Sequence, residues 1–108
     1  VVAERFVAVR SGLSDIANDP SFCDPHCLHS FELDDRSPES AVRLLENAYQ
    51  DGRWVVFTSH EVAPEPVPNK ERYSTTLATL DAVVQWCRSK PDVWIDTVAK
   101  VARSFTTL

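Results

Sequence analysis

His60 is the residue whose type and position best suit it to move a proton. It directly follows Trp54-Val55-Val56-Phe57-Thr58-Ser59, a run rich in aromatic and β-branched side chains, and it precedes a loop with Pro64, Pro66 and Pro68 at alternate positions. Such a continuous apolar run reads as a strand covered on both faces, the pattern of a parallel sheet. Proline at every second position excludes a regular helix or a central strand beyond it. Residues 54–60 are therefore expected to form a buried parallel strand that carries His60 to its C-terminal end, where side chains from several strands of a parallel α/β sheet converge. An imidazole there can exchange a proton near neutral pH. Position alone leaves a plainer reading open, a histidine that hydrogen-bonds loop backbone. Glu61 is its weaker companion, a substrate-binding candidate or a solvated carboxylate.

A second concentration of reactive side chains is Cys23-Asp24-Pro25-His26-Cys27-Leu28-His29, with two cysteines and two histidines in one short stretch. It admits a zinc site, a Cys23–Cys27 disulfide, or incidental loop residues. Structural zinc sites usually join two well-separated ligand pairs, and no second pair follows here. Glu32, Asp34 and Asp35 read as a solvated acidic loop, or as carboxylates near a barrel mouth that help to hold a metal or a sugar. Trp54, Trp86 and Trp94 invite a carbohydrate-stacking reading, although strand and helix positions favour packing. Cys87 reads as a small core residue.

The elements that must position these groups alternate along the chain. Residues 5–10, Arg-Phe-Val-Ala-Val-Arg, are expected to be a strand, and 11–36 a long loop rich in Ser, Asp, Asn and Pro, with a brief strand at 28–33. Ser37-Pro38-Glu39 supplies an N-cap, a proline at the first helical position and an acid in the first turn. Apolar residues at Ala41, Leu44, Leu45 and Ala48 continue that helix until Gly52 closes it. A second helix is expected from near Ser74–Thr76 to Lys90-Pro91, with a stripe of Leu77, Leu80, Val83, Val84 and Cys87. A third strand is expected at 93–95. Asp96 or Thr97 then caps a last helix with Val98, Val101, Ala102 and Phe105 inward. The fold class is thus α/β, alternating β-α units with parallel strands. Three strands with open parallel edges, and a chain that starts with Val1 almost directly on a strand, read as part of a larger α/β or (β/α) barrel domain.

Composition limits the function classes. The 108 residues are 44% hydrophobic and 25% charged, which suits a soluble globular domain rather than a disordered chain. The net charge is -5 and the 11 basic residues are scattered, so a nucleic-acid groove is disfavoured. No apolar run reaches the roughly 18 residues of a membrane span, and no signal-peptide pattern is visible in the chain. The redox compartment stays open, because three cysteines neither make nor exclude a bridge.

Three pieces in order, Gly52-Arg53-Trp54-Val55-Val56-Phe57-Thr58-Ser59-His60-Glu61-Val62, then Tyr73-Ser74 opening a helix with Leu77 and Leu80, then Asp92-Val93-Trp94-Ile95-Asp96-Thr97-Val98-Ala99-Lys100-Val101-Ala102-Arg103, resemble the C-terminal part of polysaccharide deacetylases. These are carbohydrate esterases built on the NodB-homology domain, a distorted (β/α) barrel. The resemblance covers residues 38–106 well and the first 36 loosely. It implies that His60 is the general acid that protonates the amine leaving group when an acetyl group is removed from an N-acetylated poly- or oligosaccharide. It implies a second catalytic candidate in Arg10, at a barrel-mouth position where such sequences often carry an arginine or an acid that orients catalytic groups; a salt-bridged rim arginine is the plainer alternative. In that family a divalent metal, zinc or similar, held by one aspartate and two histidines, activates water, while another aspartate acts as base. The motifs for those groups, Thr-Phe-Asp-Asp and His-x-x-x-His, do not occur in this chain, so no residue here is assigned to metal.

Two further functions stay open beside the deacetylase. One is a non-catalytic half-barrel module that pairs with another chain, or with a second copy, to cover exposed strand edges. The other is a small zinc-stabilised domain built on Cys23 to His29.

Overall fold

Three short parallel strands form the platform of the molecule. In the computed structural model, which describes residues 8, 10–13, 16–20, 24, 27–66 and 73–106, β1 (Arg10–Leu13), β2 (Leu28–Glu32) and β3 (Phe57–Thr58) lie side by side in that order. Arg10 pairs with Leu28, and Phe31 and Glu32 pair with Phe57 and Thr58. The β2–β3 ladder runs one bond further at each end, from the Phe31 amide to the Val56 carbonyl at 2.8 Å and from the Leu33 amide to the Thr58 carbonyl at 2.9 Å. Leu28, Ser30, Leu33, Val56 and Thr58 are all buried, as a sheet covered on its faces requires.

The link between β2 and β3 is α1 (Pro38–Asp51), and its ends follow from local chemistry. The Ser37 hydroxyl accepts the Ser40 amide at 3.1 Å, while Pro38 occupies the first turn, where its missing N–H costs nothing. Ala41, Leu45 and Ala48 make the inner stripe. Gly52 ends the helix at φ 63°, a left-handed conformation that glycine adopts without strain. The Arg53 amide then reaches back to the Ala48 carbonyl at 2.9 Å, so the chain turns directly into β3.

After β3 the chain makes a second parallel pair, β4 (Val62–Ala63) with β5 (Thr75–Thr76), and enters α2 (Leu77–Arg88). Thr76 caps α2 by accepting the Thr79 amide at 3.2 Å. α2 packs on α1 through Trp86, whose indole meets the Tyr49 ring edge to face at 5.8 Å and donates to Glu46 at 2.6 Å. α3 (Val98–Thr106) starts where the Thr97 hydroxyl accepts the Lys100 amide at 3.2 Å, and it buries Val101 and Ala102.

The α/β class with parallel strands is therefore observed, with several elements corrected. Most of the strand expected at 5–10 lies outside the described residues; Ala8 has no regular structure, and the described strand starts at Arg10. The strand expected over 54–60 shortens to Phe57–Thr58, because Trp54 is taken by an antiparallel bridge to Asn18. No strand forms at 93–95: Trp94 is exposed, Ile95 is 68% exposed, and no described strand lies beside them to pair with. On α2, Leu77 and Val84 of the expected stripe are exposed and Trp86 takes the inner position. Among the described residues the sheet is open, with β1 and β3 at its edges, and no helix is long and apolar enough to cross a membrane.

Candidate functional site

The parallel register decides which side chains meet. Glu32 stands opposite Thr58 at the ends of β2 and β3, so the turn that follows β2 and the bend that follows β3 leave the same edge of the sheet with Asp34 on one and His60 on the other. The structure joins them: Asp34 Oδ2 lies 2.6 Å from His60 Nδ1, and both carboxylate oxygens lie 3.2 Å from the His60 amide nitrogen. Thr75 donates its hydroxyl to Asp34 Oδ1 at 2.9 Å, with Ser59 Oγ 3.3 Å from the same oxygen and 2.8 Å from Thr75 Oγ1.

The backbone around Asp34 is fixed on both sides. Leu33 is held in the β2–β3 ladder, the Arg36 amide closes a turn onto the Leu33 carbonyl at 3.3 Å, and the Arg36 guanidinium Nε donates to the Glu32 carbonyl at 2.8 Å. Asp35 takes φ 56°, a conformation that aspartate tolerates better than most residues. Its amide donates to the Ser74 carbonyl at 3.0 Å, which ties this turn to the segment that carries Thr75.

Burial and charge divide the pair. The Asp34 side chain is fully buried and the His60 side chain is 57% exposed. Burial alone would raise the Asp34 carboxyl, but the hydrogen bonds from the His60 ring, the His60 amide and Thr75, with the attraction of the imidazole, outweigh it and hold the group below the ordinary 3.8. An ionised Asp34 only accepts, so the proton in the 2.6 Å contact belongs to His60 Nδ1. Nε2 is then the ring nitrogen left for chemistry, and no described residue bonds to it. This is a buried carboxylate that orients an exposed imidazole, the arrangement of a general acid or base. The hydroxyls of Ser59 and Thr75 face Asp34 rather than Nε2, so neither is set up as a nucleophile by this histidine.

The other residues singled out from sequence scatter. Arg10 opens β1 opposite Leu28, the first residue of β2, whereas Asp34 lies beyond the last residue of that strand. It lies toward the N-terminal end of the sheet, and the structure does not bring it together with His60. Glu61 is half-buried, and its carbonyl accepts the Thr75 amide at 2.6 Å, so its backbone binds β5 to the end of β3. Cys23 and His26 lie outside the described residues. Cys27 is an exposed free thiol, and His29 sits within β2, where its amide and carbonyl are both bound by the Asn18 side chain at 3.0 Å. Of the tryptophans, Trp86 is buried, whereas Trp94 is 55% exposed and donates to Asp96 at 3.3 Å.

Asp34, expected in a solvated acidic loop or among carboxylates near a barrel mouth, is instead buried against His60. The available signal was the register: a strand at 28–33 beside 54–60 places the next residue of one against the tip of the other. A metal does not fit the described residues. They contain no group of three His, Cys, Asp or Glu side chains suited to one, and the oxygens of Asp34 are taken by donors from His60, Thr75 and Ser59. No family model, curated protein or solved structure matches this chain.

Proposed function

We propose that this chain contributes the acid side of a carbohydrate N-deacetylase, as the C-terminal part of a distorted (β/α) barrel acting on an N-acetylated poly- or oligosaccharide. The observation that carries the reading is the buried Asp34 carboxylate 2.6 Å from Nδ1 of an exposed His60 at the C-terminal end of parallel strands. The resemblance of residues 52–62, 73–80 and 92–103 to polysaccharide deacetylases supplies the substrate class. When an acetamide is hydrolysed, water adds its oxygen to the acetyl carbon and gives up a proton to solvent, the C–N bond breaks to leave acetate, and the nitrogen leaves as an amine, which requires a proton. Protonated His60 gives that proton from Nε2, the electron pair of the C–N bond goes to nitrogen, and the imidazole regains its proton from water afterwards. Asp34 keeps Nδ1–H fixed through the cycle. Glu61, next to His60 in the chain, is assigned to sugar hydroxyls.

The divalent metal and the catalytic aspartate of the deacetylase reading belong to the resemblance. No step here runs through them, since the described residues do not fit a metal. The test is release of acetate from N-acetylglucosamine oligomers by the full parent protein with added divalent metal, set against its His60→Ala variant. A loss of about 10²–10⁴-fold is expected for an acid of this kind, and equal rates would remove the proposed role.

One observation favours a second reading, a non-catalytic half-barrel that pairs with another chain. Exposed Trp94 and Ile95 border a cavity of about 610 Å³ that Tyr49, Trp54, Phe57, Val83 and Trp86 also line, apolar surface of the kind that an interface covers. Light scattering of the protein separates the two: a stable dimer dissociated by Trp94→Asp, with no acetate released, belongs to the pairing module.

A further inference from the structure

Tyr73 stands beside His60 with its ring centroid 5.7 Å from the imidazole, tilted 42°, and 55% exposed. An aromatic ring left this far in water has its apolar face free for a ligand. What sets it apart from an ordinary surface tyrosine is its anchorage. The next residue, Ser74, is buried and accepts the Asp35 amide through its carbonyl at 3.0 Å, and Thr75 is paired to β4 and donates to Asp34. One buried carboxylate and its turn thus hold both rings of the ledge, the imidazole directly and the phenol through the two residues that follow it. The backbone that carries the two rings is tied to one turn, so little backbone freedom remains to be lost when a ligand settles there.

We infer that Tyr73 is a sugar-binding platform: one pyranose ring of an N-acetylated saccharide lies with its C–H face on the phenol ring, which brings an acetamido group of the chain toward Nε2 of His60. The inference rests on the deacetylase reading for its substrate class and adds a specificity-determining residue to it. A flat C–H face matches a π face, and the phenol oxygen lies at the rim to exchange hydrogen bonds with sugar hydroxyls. Ligands without a ring, such as alkyl acetates, gain nothing from the platform.

The test is an NMR titration of the protein with the N-acetylglucosamine tetramer, following the ring resonances of Tyr73 and His60, with acetate measured in the same samples. Both rings are expected to shift on titration. Tyr73→Ala is expected to weaken binding about ten-fold, the equivalent of 1.4 kcal/mol, while Tyr73→Phe stays within about three-fold because the ring face does the binding. Urea midpoints of both variants equal to that of the unchanged protein exclude misfolding as the cause. Absence of binding, binding with no shift at Tyr73, or equal losses in the Ala and Phe variants would each overturn the platform. Binding through Tyr73 without acetate release keeps the platform and removes the deacetylase; acetate release that Tyr73→Ala leaves unchanged does the reverse.

Discussion

At the scale of single residues, Asp34 and His60 show how burial and hydrogen bonding divide one interaction between two partners. Asp34 is fully buried and ionised, so exchanging it for a neutral isostere should cost more than a surface ion pair would. Asp34→Asn turns an acceptor into a partial donor against the His60 amide and Thr75, and it is expected to cost about 2–3 kcal/mol in urea unfolding near neutral pH. The pH dependence has a definite sign. The folded carboxyl lies below its ordinary 3.8, so its contribution is fully present above that value and is lost as pH falls through the lower, folded one. As pH falls below 3.8 the unchanged protein should therefore lose stability more steeply than Asp34→Asn; identical slopes by urea titration would contradict the assignment. His60 was legible in the sequence because a strand-like run ends on it and prolines follow. Asp34 was not, since its burial comes from a neighbouring strand that the local sequence marks only weakly.

At the scale of elements, polar side chains stand in for strand that is missing. Asn18 is buried, exchanges 2.8 Å backbone bonds with Trp54 and clamps the amide and carbonyl of His29 with its side chain. It thereby joins the N-terminal ends of β2 and β3 where the β2–β3 ladder does not reach. Asn18→Ala removes two bonds to the His29 backbone and is expected to cost about 1–3 kcal/mol, read as a lower urea midpoint with increased amide exchange at His29. Gly52 carries the other unusual backbone angle: Gly52→Ala meets no neighbour within 4 Å, yet at φ 63° it should cost about 1 kcal/mol in the same assay. The helices were the most legible elements, because Ser37, Pro38, Gly52, Thr76 and Thr97 signal their ends by short-range chemistry. The strands were less so. Trp94 and Ile95 have the composition of a strand but no partner among the described residues, and strand formation depends on that partner.

At the scale of the molecule, α1 and α2 clamp together through one side-chain cluster. The clamp is a cluster in which Lys90 lies 5.1 Å from the Tyr49 ring centroid and 5.8 Å from that of Trp86, with Glu46 receiving the indole N–H. Trp86→Ala removes the centre of this cluster and is expected to cost about 3–5 kcal/mol, enough to abolish cooperative thermal unfolding in a marginally stable domain. The parallel α/β class was readable from the alternation of elements, whereas the extra β4–β5 pair was hidden inside a proline-bearing loop and follows from the pairing of Val62 with Thr75. The whole arrangement, from the register of β2 and β3 to the tie between Asp35 and Ser74, converges on one oriented imidazole. Long-range ¹H–¹⁵N NMR of the neutral His60 ring reads that orientation directly. The proton should reside on Nδ1 in the unchanged protein and lose that preference in Asp34→Ala; a ring protonated on Nε2 with Asp34 in place would contradict it.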